Sequence, residues 1–262
     1  YIAGLVMASG AAFCLVWGLM LVNHAGWSDP EVLSALFAGV ALSASFIWWE
    51  IHAVEPMLLM RLFHTRAFAA GIGASFLFYA AMYGVLFFVA QFFQTAQGFS
   101  PFGSGLRMVP WTATLFVFAP LGGRLVAKVG ERRLVVSGLL LQTLGMAWIA
   151  MIATPGVAYA LLVTPMILAG AGVSLAMPAA QAAVINAVAV TEIGKASGAF
   201  NTFRFLGGAF GIAVLVAVFD RTGNAGSSDG FAAGFSSALG AAAVLSALAT
   251  LVAIRLPGRQ PQ

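Results

Sequence analysis

Chemistry within a protein needs titratable or polar side chains that converge on one place, and this sequence offers few. Its three histidines, His24, His52 and His64, fall in connections between apolar runs, and its single cysteine, Cys14, stands alone inside one. No carboxylate lies deep within an apolar run, since Glu50 is at the end of one and Asp220 at the end of another. A nucleophile with its base, a carboxylate pair or a thiolate metal site needs groups that this spacing does not supply. An enzyme is therefore not expected, and neither is a metal or a cofactor.

What remains is a short set of polar side chains inside apolar runs: Gln91, Gln94, Gln142, Gln181, Asn186, Asn201 and Arg204. In hydrocarbon such groups need partners, so they serve either as bonds between helices or as the lining of a polar path. Phe76, Tyr79, Tyr83, Phe87, Gln91 and Gln94 recur at intervals of three and four, which places them on one face of a helix. An aromatic stripe often only packs against neighbours or lipid. Two tyrosines and two glutamines on the same stripe favour a cavity instead, because each would need a partner against lipid. Gln142 reads as a helix-to-helix bond. Arg204 is the one cation well inside a run; it could snorkel to the interface, pair with a carboxylate or carbonyl of another part of the protein, or meet a substrate. Asn201, one turn earlier, is expected to help hold its guanidinium.

The elements that position these residues follow from composition. The 262 residues are 61% hydrophobic and 8% charged, with a mean hydropathy of +1.00. An ordinary soluble domain carries roughly 25% charged residues, so lipid must be the solvent for most of this chain. Eight apolar stretches are long enough to cross a bilayer: Ile2 to Val22, Val32 to Ile51, Ala67 to Thr95, Gly105 to Val126, Leu134 to Ala153, Tyr159 to Ala183, Ala196 to Phe219 and Phe231 to Ile254. The expected fold is an all-α membrane protein of about eight transmembrane helices. Punctuation falls between the runs, at Ser28-Asp29-Pro30-Glu31, Ser100-Pro101, Thr154-Pro155-Gly156 and Ser228-Asp229-Gly230. The first run lacks a basic leader and a cleavage site, so it reads as a span rather than a signal peptide. Because Tyr1 already stands at its edge, more of the protein is expected upstream.

The formal charge of +4 does not point to nucleic acid, because the basic residues sit between the runs rather than on one face. Nine of them, Arg61, Arg66, Arg124, Lys128, Arg132, Arg133, Lys195, Arg255 and Arg259, fall in connections on one side, while the other side has only Arg107 and Arg221. The positive-inside rule makes the nine-residue side cytoplasmic. The expectation is a multi-pass protein of the cell membrane with its C-terminus in the cytoplasm, its connections at 24 to 29 and 222 to 230 facing out. The long connection after Ile51 divides residues 1–66, two helices and a cytoplasmic loop, from a compact six-helix unit over residues 67–262 with a short tail.

Three stretches carry a family likeness. Gly123-Arg124-Leu125-Val126-Ala127-Lys128-Val129-Gly130-Glu131-Arg132-Arg133 resembles the Gly-x-Leu-x-Asp-Arg-x-Gly-Arg-Arg cytoplasmic loop of the major facilitator superfamily, departing from it at Ala127 and Glu131. Gln97-Gly98-Phe99-Ser100-Pro101 through Gly105-Leu106-Arg107-Met108-Val109-Pro110-Trp111, and Glu192-Ile193-Gly194-Lys195-Ala196-Ser197-Gly198 through Asn201 to Gly211, are similar to its fourteen-helix drug:proton antiporter branch. The resemblance implies that the first two helices are linkers and the last six the C-terminal half of a transporter. A missing N-terminal half would supply the antiporter motif and the coupling carboxylate. It implies proton-driven export of drugs or other small organic molecules by alternating access. Tyr79, Tyr83, Phe87, Gln91, Gln94, Gln181, Asn201 and Arg204 are the candidates for the substrate path, and Gly123, Lys128, Gly130, Arg132 and Arg133 form the cytoplasmic loop motif. The expected partners are a small-molecule substrate, the lipid bilayer and the N-terminal half. The rival from another class is a scaffold or remnant half that transports nothing.

Overall fold

The computed structural model describes residues 2–25, 29–52 and 60–258. Every long element is a helix: α1 (Ile2–Ala25), α2 (Pro30–His52), α3 (Met60–Phe63), α4 (Arg66–Gln91), α5 (Pro101–Arg107), α6 (Val109–Val129), α7 (Glu131–Ile152), α8 (Tyr159–Ile185), α9 (Ile193–Thr222) and α10 (Ser228–Ala253). Helices satisfy their backbone groups internally, as hydrocarbon requires. Seven of the described segments are long and apolar enough to cross a membrane, and α1, a 24-residue helix, contributes a further apolar stretch, Val6–Gly18. The chain is thus the multi-pass membrane protein that its composition implies.

The punctuation sets the ends. Asp29 accepts from the Glu31 amide at 2.8 Å as α2 begins with Pro30, and Ser100 Oγ accepts from the Gly103 amide at 3.1 Å ahead of Pro101. The cap of α10 is Ser227, just ahead of the Ser228-Asp229-Gly230 break, its Oγ accepting from the Gly230 amide at 3.1 Å. Between α6 and α7 the whole turn is Gly130, whose φ of 90° is open to glycine and strained for other residues.

Three further departures have physical causes. The fourth apolar run is not one span: Pro110 cannot continue a hydrogen-bonded helix, so α5 ends at Arg107 and α6 restarts at Val109. The third run is helical to Gln91 and then widens into a π-helical turn, Phe92–Ala96, where Phe92 stacks on Phe235 of α10 at 4.4 Å. Asn186 is not within a span but caps the end of α8.

Small residues let the helices touch. A Cβ at Gly145 of α7 would lie 2.7 Å from that of Ala169 in α8, and one at Gly39 of α2 2.7 Å from Leu15 Cγ in α1. α1 and α2 pair with each other, and α1 rests on α9, with a cavity of about 770 Å3 between them lined by Ser9, Ser43, Phe46, Thr202 and Lys195. Polar contacts close both ends of the bundle. Arg61 pairs with Glu192, and Asn186 donates to Glu131 at 2.8 Å; at the opposite end Gln97 donates to the Val157 carbonyl at 3.0 Å and the Tyr159 hydroxyl to the Arg107 carbonyl at 3.2 Å.

Candidate functional site

The site begins with the seam between α4 and α9. A Cβ at Gly207 would run into the Phe76 carbonyl oxygen, and one at Gly211 into that of Ala80, so the two backbones are in direct contact. A Cβ at Gly208 would come within 2.6 Å of the Tyr83 ring, which therefore fills the space above that glycine. From there Tyr83 Oη accepts a hydrogen bond from Arg204 Nη2 at 3.3 Å, joining residues 121 positions apart.

Aromatic rings surround the cation. The Arg204 guanidinium carbon lies 4.9 Å from the centre of the Tyr79 ring and 5.6 Å from that of Phe205, within the range of cation–π attraction. Tyr79 is buried, stacked 6.0 Å from Tyr83 and edge-on to Phe200 at 6.0 Å, so its ring is a fixed floor. Arg204 Nε is buried without a hydrogen-bond partner. Eleven residues beyond Ile193 in a 30-residue helix, the side chain starts roughly 16 Å from the helix entrance, which puts a positive charge near mid-span.

The rest of the stripe opens away from the floor. Phe87 is 40% exposed, Gln94 is exposed and Gln91 half-buried, whereas Val85 is fully buried on the opposite face. Asn201 is exposed beside Arg204, but its amide donates back to the Ser197 carbonyl at 3.0 Å. The expectation that it holds the guanidinium is replaced by the contact to Tyr83: a short amide facing its own helix finds the preceding turn first. Gln181 is exposed on α8, and no described contact joins it to Arg204. Gln142 is buried in α7 beside Gly172 of α8, with neither amide atom hydrogen-bonded. The bond between helices expected of it does not form among the described residues.

The loop motif builds the turn from α6 to α7. Gly130 makes the bend, Lys128 and Arg133 are exposed and Arg132 half-buried around it, and Gly123 lies open with nothing near its missing side chain. Glu131, one of the two departures from the motif, is what Asn186 of α8 binds.

Two polar clusters escaped sequence reasoning. Arg107 lies 3.3 Å above the Phe99 ring, and Thr114 of α6 meets Ser174 of α8 at 3.2 Å in a buried spot. Ser100-Pro101 signals the turn that folds Phe99 back on Arg107, but no spacing signals the second.

Comparison with known proteins fits this architecture. The Major Facilitator Superfamily model matches the chain over residues 2–212 and again over 71–262. Similar proteins include the multidrug resistance protein Stp of Mycobacterium tuberculosis, 30% identical over 213 residues, 81% of this chain and 39% of that protein. The tetracenomycin C resistance and export protein of Streptomyces glaucescens is 31% identical over 82% of this chain and 40% of its own length. The cephamycin export protein CmcT of Amycolatopsis lactamdurans is 30% identical over 96% of this chain and 52% of its own length. The chain thus spans about two fifths to one half of these relatives. Among solved structures, that of the nucleoside transporter NupG, in a mutant form, aligns over 93% of this chain and 65% of that one with a TM-score of 0.63 at 17% identity, a likeness of fold. These relatives are transporters rather than enzymes, drug resistance and export proteins prominent among them, and the chain belongs to the Major Facilitator Superfamily.

Proposed function

We propose that this chain supplies part of a secondary active transporter that exports small organic molecules, drugs among them, driven by protons. Residues 1–66 act as two linker helices, and residues 67–262 form a six-helix half that rocks against a second half around a midplane site. The arginine-rich ends lie in the cytoplasm, as does the C-terminus. Tyr79, Tyr83, Phe87, Gln91, Gln94, Gln181, Asn201 and Arg204 line or approach the path, and the loop from Gly123 to Arg133 acts at the cytoplasmic face.

The observation that carries this reading is the half-buried Arg204, held mid-span on Tyr83 with Asn201 and Phe205 exposed beside it. A charge at that depth belongs to a bundle interior or a water-filled path rather than to lipid. The names of the similar export proteins support the direction of movement. A scaffold needs no such group.

The test is the full-length protein in liposomes under an imposed pH gradient. Organic cargo accumulates while the gradient lasts and leaks back when a protonophore collapses it. Movement of no compound across a broad panel, from correctly folded protein, sinks the reading and leaves the scaffold.

A further inference from the structure

The guanidinium of Arg204 has more donors than its surroundings satisfy. It carries five N–H groups; one Nη2 hydrogen goes to Tyr83 Oη at 3.3 Å, and Nε, buried, goes to nothing. Its other neighbours are ring faces, Tyr79 at 4.9 Å and Phe205 at 5.6 Å. No carboxylate among the described residues pairs with it.

Tyr83 adds a second donor. Its oxygen accepts from Arg204, so its own hydroxyl proton stays free to donate to the same guest. A planar fork of N–H groups beside an O–H matches the two oxygens of a carboxylate, or the single oxygen of a phenolate, and these charge-assisted bonds are the strong ones. The exposed Phe205, 5.6 Å from the guanidinium, offers a face for a flat ring next to the acid. A cationic guest would meet the guanidinium with like charge.

On these grounds, and resting on the transport reading above, we infer that the site on Arg204 and Tyr83 takes a planar aromatic or conjugated molecule bearing an acidic group, its anionic oxygens bound by the arginine fork and the tyrosine hydroxyl. The charge of the guest, more than its shape, is what this half of the site selects.

The full-length protein in detergent tests it with one ring carrying three charges: naphthoate, naphthamide and naphthylmethylamine, followed by tryptophan fluorescence. Naphthoate binds at least about tenfold more tightly than the other two. Arg204→Gln abolishes the difference, Arg204→Lys keeps part of it, and Tyr83→Phe weakens naphthoate alone. Thermal melting of each variant separates lost binding from lost fold, and Tyr83→Phe carries the test where Arg204→Gln does not fold. Equal binding of all three by the unmodified protein, the result of another carboxylate already seated on Arg204, overturns the inference. So does an acid preference that survives Arg204→Gln. Gradient-driven export of amines, indifferent to Arg204, removes this inference and leaves the transport reading standing; acid-selective binding without any export does the reverse.

Discussion

Tyr83 owes its place to what the neighbouring helix lacks: its ring occupies the volume that a side chain at Gly208 would take, and this brings its hydroxyl to Arg204. Tyr83→Phe keeps the ring and removes the bond to a charged group. It should raise the apparent KM for export about tenfold to a hundredfold, as a bond to a charged group of about 1.5 to 3 kcal/mol implies, with unchanged membrane level. An unaltered concentration dependence of transport would show that the pair plays no part. The sequence pointed to both residues from their depth and helical spacing, yet not to their pairing, since 121 positions separate them and only the contact of α4 with α9 joins them. Gln142 was legible as a polar group within a span; that its amide finds no bond was not, because small residues at Gly138 and Gly172 close the space around it. A buried, unsatisfied amide costs roughly 1 to 3 kcal/mol. Gln142→Leu should therefore raise the thermal midpoint of the purified protein, and a fall would mean that the amide is satisfied in the membrane.

At the scale of the helix, α4 has two faces. Tyr83, Phe87 and Gln91 open to one side while Val85 is fully buried on the other. With Cys14 replaced by serine, single cysteines at positions 83, 87 and 91 of the full-length protein should react with a polar maleimide and be protected by substrate, and one at 85 should stay inert. Equal reactivity at all four would dissolve the stripe. The apolar runs fixed each long helix to within a few residues, because the length of hydrocarbon to be crossed is itself a sequence signal. Pro110 marks an interruption in the fourth run, but hydrophobicity alone does not place the break at Met108; the π turn after Gln91 goes unmarked, since it is accompanied by a contact with an aromatic ring of a distant helix. The seam with α9 is stricter than either. Gly211→Ala would push a methyl group into the Ala80 carbonyl, and overpacking of this kind costs typically 1 to 3 kcal/mol. Gly198, on the same helix with nothing within 4 Å, is its control. Gly211→Ala should lower the melting temperature and Gly198→Ala should not; matching melts would mean that the two helices are not in backbone contact.

For the whole molecule, sidedness comes first. The basic residues near Arg61, Lys128 and Lys195 collect at one end of the bundle and Arg107 and Arg221 at the other. The connection at 222 to 230 is expected outside, as is the one at 24 to 29, of which residues 26–28 lie outside the described residues. A cysteine at position 128 should escape a membrane-impermeant label applied from outside, and its labelling would invert the topology. Sidedness alone does not make a pump. Alternating access needs a site closed by two halves, and proton coupling generally uses a carboxylate or histidine within the membrane. Glu50 is at the end of α2, Asp220 is exposed at the end of α9, and the interior of α4 to α10 presents Arg204 as its charge near mid-span. The similar export proteins are about two to two and a half times as long as the stretch they share with this chain. The 262-residue chain alone, reconstituted in liposomes, should therefore bind guests at the Tyr83 and Arg204 site yet show no substrate movement driven by a pH gradient. Robust, protonophore-sensitive uptake by this chain alone would mean that it closes its own site, as a dimer does, and finds its proton carrier among the groups named here.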